Sequence, residues 1–217
     1  MSTDYQPSKD TSRELDSASI QIYQELIGVL RWAVEIRRVD VLLEVSILSS
    51  HLALPRIGHL QDVYRVFGYL KQFPKSVLYF DPMHPSIPEE RFHKFNWEDF
   101  YKDAKDPIPI NMPQPRGQSM STHCFVDANH AGDKTTSRSM TGVLIFGNWA
   151  PIIWNSKRKH LVETSTFGSE FTALKNAVEL ISALHYKLRM FSVPVDGPTN
   201  MICDNEVVYR NTSMPES

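Results

Sequence analysis

Three acidic residues, Asp127, Glu170 and Asp204, stand where carboxylates are useful to a hard cation. Asp127 closes a short apolar run in THCFVDANHAG, and Asp204 closes another in TNMICDNEVV. Glu170 lies at the start of the long segment STFGSEFTALKNAVELISALHYKLRMFS. Mg²⁺ takes a few carboxylate oxygens and keeps several waters, so a small set of acids drawn from separate elements suits it. These acids meet only if the two apolar runs are neighbouring strands and the long segment begins beside them. Each acid alone has a plainer reading as a cap, a turn residue or a surface charge. For Glu170 that reading is respectable, because a first helical turn favours an acid. For Asp204 it is weaker, because the acid follows an apolar run directly. The metal reading rests on the three together.

Residues 119–206 carry the elements that must position this set. The first strand ends in Asp127. SRSMTGVLIFGN and WAPIIWNSKRK read as two strands at hairpin spacing, with a turn at Gly147-Asn148. Thr164, Ser165 and Thr166 suit the N-cap of a helix that carries Glu170 in its first turn. The fourth strand ends in Asp204, and parallel placement beside the first would put both acids at strand carboxyl ends. Alternation sets Cys124 on the face opposite Asp127 and Cys203 away from Asp204, so both cysteines are expected as small core residues.

The upstream half is patterned differently. Residues 1–13 are polar and expected to be disordered. Over 14–38, Ile22, Tyr23, Leu26, Ile27, Leu30, Ala33 and Val34 recur at the helical period. A second helical stretch, 39–52, carries Val41, Leu42, Val45, Leu48 and Leu52. A third, 57–71, sets Leu60, Val63, Tyr64, Phe67 and Leu70 on one stripe. A helical module over 14–73 follows, whose apolar faces pack together or against a partner. Residues 74–118 hold eight of the 14 prolines, which blocks helices and central strands and predicts a tether. Its aromatic cluster Phe92, Phe95, Trp97, Phe100 and Tyr101 predicts docking of part of the tether on a neighbour.

At 217 residues the chain holds one large domain or two small ones, and 41% apolar with 22% charged residues is ordinary for a globular protein. The net charge of −2 announces no nucleic-acid binder, so a local patch must supply any such affinity. Lys157, Arg158 and Lys159 are the densest one, with a solvated turn as the plainer reading. Two cysteines give neither a disulfide framework nor a CxxC pattern and fit a reducing, intracellular compartment. No apolar run reaches membrane-spanning length, and the polar start is no secretory signal; a soluble, non-secreted protein is expected. The eight histidines show no paired metal spacing, and His130 reads as a loop residue.

The ordered words VDANHAG, SRSMTG, WNSKRKHLVETSTFGSEFTAL and ICDNE resemble the RNase H domain of copia-type (Pseudoviridae) retrotransposon polyproteins, over roughly the last hundred residues. The resemblance implies an α/β fold, an RNase H-like mixed sheet with flanking helices, in residues 119–217. It implies two Mg²⁺ ions, with Mn²⁺ as a substitute, held by Asp127, Glu170 and Asp204, with Asp127 bridging both. Their use would be hydrolysis of the RNA strand of an RNA–DNA hybrid during reverse transcription. Arg138, Ser139 and Thr141, with Lys157, Arg158 and Lys159, would touch the hybrid backbone; turn hydrogen bonding is the other reading of the first three.

The helical module resembles the thumb and connection end of a copia-type reverse transcriptase, through Tyr23, Leu26, Ile27, Gly28, Leu30, Trp32, Asp40, Ser46, Ser49, Pro55, His59, Arg65, Val66, Tyr69, Leu70 and Lys71. No palm precedes it, so no polymerase activity is expected, and Asp40 has no partner acids. The family's fifth strand and fourth acid do not follow Asp204 either. The expected picture is a C-terminally truncated domain with an uncovered sheet face, weak or inactive alone. Its expected partners are a hybrid and the rest of the polyprotein, in the cytoplasm (virus-like particle) or nucleus. The competing readings are a non-catalytic nucleic-acid-binding remnant and a helical interaction module.

Overall fold

A computed structural model describes residues 7–84, 102, 108–133, 136–160 and 162–213. The aromatic cluster Phe92, Phe95, Trp97, Phe100 and Tyr101 lies outside these residues. The architecture is mixed α/β, with five α-helices and a four-stranded sheet among the described residues. The chain divides into two compact units. The first comprises Met1–Leu78, Asn129–Met140 and Asn155–Glu163; the second comprises Tyr79–Ala128, Thr141–Trp154 and Thr164–Ser217.

The first unit is built on three helices, α1 (Ser17–Ile36), α2 (Leu42–Ser49) and α3 (Ile57–Gln72). The Asp16 carboxylate caps α1 by accepting from the Ser19 amide at 2.8 Å. Tyr23, Ile27, Leu30 and Val34, spaced by four and three, bury one face of α1. The Tyr23 hydroxyl donates to the Leu48 carbonyl at 2.7 Å, tying α1 to α2. On α3 the buried side is His59, Asp62, Val63 and Val66, and Tyr64 is exposed. The stripe is rotated from the apolar one because two polar residues find partners. His59 Nδ1 accepts from the Arg56 amide at 3.0 Å, its Nε2 meets the Pro7 carbonyl at 2.8 Å, and Asp62 pairs with Arg65. Residues 7–13, the described part of the tract expected to be disordered, bond to the start of α3. The Ile57 amide donates to the Arg13 carbonyl at 3.0 Å, and the Gly58 amide to Ser12 Oγ at 2.9 Å.

The sheet holds β1 (Thr122–Asn129), β2 (Met140–Gly147), β3 (Ala150–Arg158) and β4 (Asn200–Ile202) in the order β3-β2-β1-β4. This is consistent with the RNase H-like sheet that the resemblance implies. β2 and β3 are joined at Asn148 and Trp149, one residue later than the expected Gly147-Asn148 turn. Asn148 takes the positive φ of 53° that such a turn requires, a conformation asparagine tolerates. Gly147 remains in the strand, where a β-carbon would lie 2.5 Å from Met120 Sδ. α4 (Thr166–Met190) covers one face of the sheet, and α5 (Glu206–Ser213) follows β4. The core joins Cys124, Val126 and Ala128 of β1 and Val143 and Ile145 of β2 to Ala173, Ala177 and Ile181 of α4. Away from α4, β1 presents Phe125, 41% exposed and edge-on to Phe146 at 5.7 Å. No helix among the described residues is long and apolar enough to cross a membrane.

Candidate metal centre

Alternation along β1 decides where Asp127 points. Cys124, Val126 and Ala128 are buried, while Phe125, Asp127 and Asn129 are exposed. The strand runs two residues past Asp127 instead of ending there. β4 pairs with β1 in parallel, matching His123 with Asn200, Cys124 with Met201 and Phe125 with Ile202. Continued at the same offset, that register sets Asp127 beside Asp204. Asp204 lies two residues beyond the last strand residue, in the turn into α5. Asn205 shapes this turn, since its Oδ1 accepts from the Val207 and Val208 amides at 3.0 and 3.1 Å.

Glu170 arrives from α4. Ser165 is the N-cap, accepting from the Gly168 amide at 3.0 Å, so the helix begins at Thr166. Glu170 therefore stands just past the first turn, which holds no acid. The macrodipole thus offers it less support than the plainer reading assumed. Its side chain is buried, at 6% exposure, with Ser169 and Ala173 buried beside it.

The three carboxylates meet. Asp127, Glu170 and Asp204 each offer an oxygen, and these atoms all lie within 4.8 Å of one another. One acid is buried and two are exposed, so the cluster is anchored on the protein side and open to water on the other. An all-oxygen donor set of this size can hold a hard metal ion. The charge is felt nearby: burial, reinforced by Glu170 and Asp204, pushes the Cys203 thiol up, against a lowering bond from the Asn205 backbone. Burial pushes the Cys124 thiol up to about 11. Both cysteines are free, and both pack with the core cluster, as alternation predicts.

The other expected site residues are placed differently. The three acids and Thr141 belong to the second unit, whereas Arg138, Ser139, Lys157, Arg158 and Lys159 belong to the first. Ser139 is fully buried; its Oγ accepts from the Ala131 amide at 3.2 Å, and its carbonyl accepts from the Lys159 amide at 2.8 Å. Thr141 is buried too, at 6% exposure. Arg158 is committed to Asp133 at 3.0 Å, Lys159 is buried and Lys157 is exposed. Arg138 and His130 are half-buried.

Sequence reasoning passed over one group, Thr122, His185 and Thr199, which sits at the foot of the same two strands. The signal was present: THCFVD and TNMICD both read T-x-x-x-x-D.

Comparison with known proteins finds similarity to the "Retrovirus-related Pol polyprotein from transposon RE1" of Arabidopsis thaliana, 22% identical over 183 residues. The corresponding polyprotein from transposon RE2 of the same plant is 21% identical over 183 residues. Each match covers 84% of this chain and 10% of the relative, so the chain spans about a tenth of the length of the curated relatives it matches. No family model and no solved structure matches. The two relatives bear out the resemblance to a copia-type, Pol-derived region.

Proposed function

We propose that this Pol-derived chain carries a retroelement RNase H centre, in which Asp127, Glu170 and Asp204 bind two Mg²⁺ ions for hydrolysis of the RNA strand of an RNA–DNA hybrid. The observation that carries this reading is the convergence of three carboxylates from β1, α4 and the end of β4 to within 4.8 Å. The similarity to Pol polyproteins supports the setting, reverse transcription, with other parts of such a polyprotein as partners.

The donor set fits the ion. It is all carboxylate, and its two exposed members leave room for the waters that Mg²⁺ retains. Bound metal at such a centre supplies Lewis acidity and lowers the pKa of a bound water, so no strong protein base is required. The chain's own part is to hold the acids. Glu170 is fixed by burial on a capped helix, Asp127 by strand alternation, and Asp204 by the Asn205-capped turn. Lys157 is the exposed cation of the basic triplet and the one best able to meet a phosphate. A hybrid would be read through backbone shape and 2′-hydroxyls rather than sequence.

The test is Mg²⁺-dependent cleavage of a labelled RNA–DNA hybrid by the wild type beside Asp127→Asn. Cleavage by the wild type alone supports the reading. No cleavage by folded wild type, or equal cleavage by both, defeats it. Salt-sensitive binding of the hybrid without cleavage would point instead to a non-catalytic remnant.

A further inference from the structure

We infer that Thr122, His185 and Thr199 form a register clamp that sets Asp127 against Asp204, making these three positioning residues for the metal centre; the inference rests on the proposed reading of the acids. β4 is only three residues long, so its backbone ladder gives little to fix which residue of β1 it faces. The side chains supply the rest. Thr122 and Thr199 lie one rung below the paired residues, at the same offset, and their hydroxyl oxygens are 2.5 Å apart. His185 Nε2 lies 3.0 Å from each of them. On the next rung, Asn200 Nδ2 meets His123 Nδ1 at 3.3 Å.

Thr122 is 1% exposed and His185 3% exposed, so these contacts are made away from solvent. A hydroxyl can both donate and accept, so the two threonines can bond to each other and at least one of them to His185 Nε2, as acceptor or donor according to its tautomer. A slip of one residue would break these contacts inside a buried site, where an unmade bond is costly. The same slip would turn the Asp204 carboxylate to the other side of its strand. The clamp therefore favours the one register in which the acids meet.

Its position on α4 extends the argument. His185 and Glu170 share that helix, separated by about four turns, so one imidazole ties the helix bearing the third acid to both strands bearing the other two. From clamp to acid each chain segment runs five residues, at most about 17 Å.

The experiment is Mn²⁺ titration of the full chain, followed by electron paramagnetic resonance well below the unfolding temperature. Wild type, Thr199→Val, Thr199→Ser, His185→Leu and Asp127→Asn are compared. Thr199→Val and His185→Leu are expected to weaken Mn²⁺ binding about tenfold, as when the binding register is left only about one-tenth populated. Thr199→Ser, which keeps the hydroxyl, should bind as the wild type does. Wild-type affinity in Thr199→Val, with only its melting temperature lowered, would overturn the clamp and leave a merely structural contact. Valine matches threonine in shape and Thr199 is half-buried, so this variant remains informative if His185→Leu does not fold. A wild type that binds no Mn²⁺, or an Asp127→Asn that binds equally well, would defeat the metal reading itself, a distinguishable failure.

Discussion

Asp40 in the helical unit and Asp127 in the sheet unit are both acids beside regular elements, yet their surroundings are opposite. Arg38 grips Asp40 with two bonds of 2.9 and 2.7 Å, donates a third to the Phe73 carbonyl at 2.9 Å, and lies over the Tyr69 ring at 5.8 Å. The bond from Arg38 holds the Asp40 carboxyl below its ordinary range, and the same bond pushes the Arg38 guanidinium up. Asp127 meets two further carboxylates instead. Carboxylates this close repel when ionised, and a bound cation would relieve that repulsion. Asp40 is an acid spent on stability; Asp127, Glu170 and Asp204 form a cluster that could hold a metal ion.

Glu170→Gln gives the widest separation of the two settings. With Mn²⁺ at a hundredfold excess over its dissociation constant, the wild type should gain about 2.7 kcal/mol of stability, and the variant none. Without metal the variant should melt at or above the wild type, because one repelling charge is gone. A metal-free loss of stability would place Glu170 in the same class as Asp40. Next in size, Arg38→Ala should cost about 2 kcal/mol by denaturant unfolding, since Asp40 loses its cation and Phe73 its donor.

The pH response is smaller and has a definite sign. The Asp40 carboxyl is depressed in the folded state below 3.8, so near that pH the unfolded chain binds more protons. The pair's contribution is therefore present above 3.8 and is lost as pH falls through the lower folded value. Urea midpoints from pH 5 downward should fall less steeply in Asp40→Asn. The smallest effect expected is that of Ser165→Ala, about 1 kcal/mol from a lost N-cap. Ser165→Asp should restore most of it.

Much of the sheet unit was legible because its signals are local. Alternation over 122–129 told the faces of Cys124 and Asp127 apart, and Ser165 announced the start of α4 by its side chain. What escaped depended on partners distant in sequence. Ser139 and Arg158 each had two readings, a ligand contact and a plainer turn residue; Ser139 bonds inward to Ala131 and Arg158 reaches Asp133. On α3, His59 and Asp62 displaced Tyr64 from the buried face because Arg56, Pro7 and Arg65 satisfy them. The parallel register was passed over although both strands read T-x-x-x-x-D, since a hairpin and a long helix separate them.

That register also governs which length changes the chain can tolerate. Within the connection from Phe191 to Pro198, Val195 bridges Met120 in parallel and the Ser192 and Pro194 carbonyls accept from the Arg116 and Met120 amides, so added residues cost little only after Asp196. A single insertion within 123–126 or 200–203 is another matter. It would leave the threonine rung intact and swing one carboxylate to the opposite side of its strand. Descendants of this sequence that keep the centre should therefore vary in length between Asp196 and Thr199 sooner than in the five-residue step on either strand.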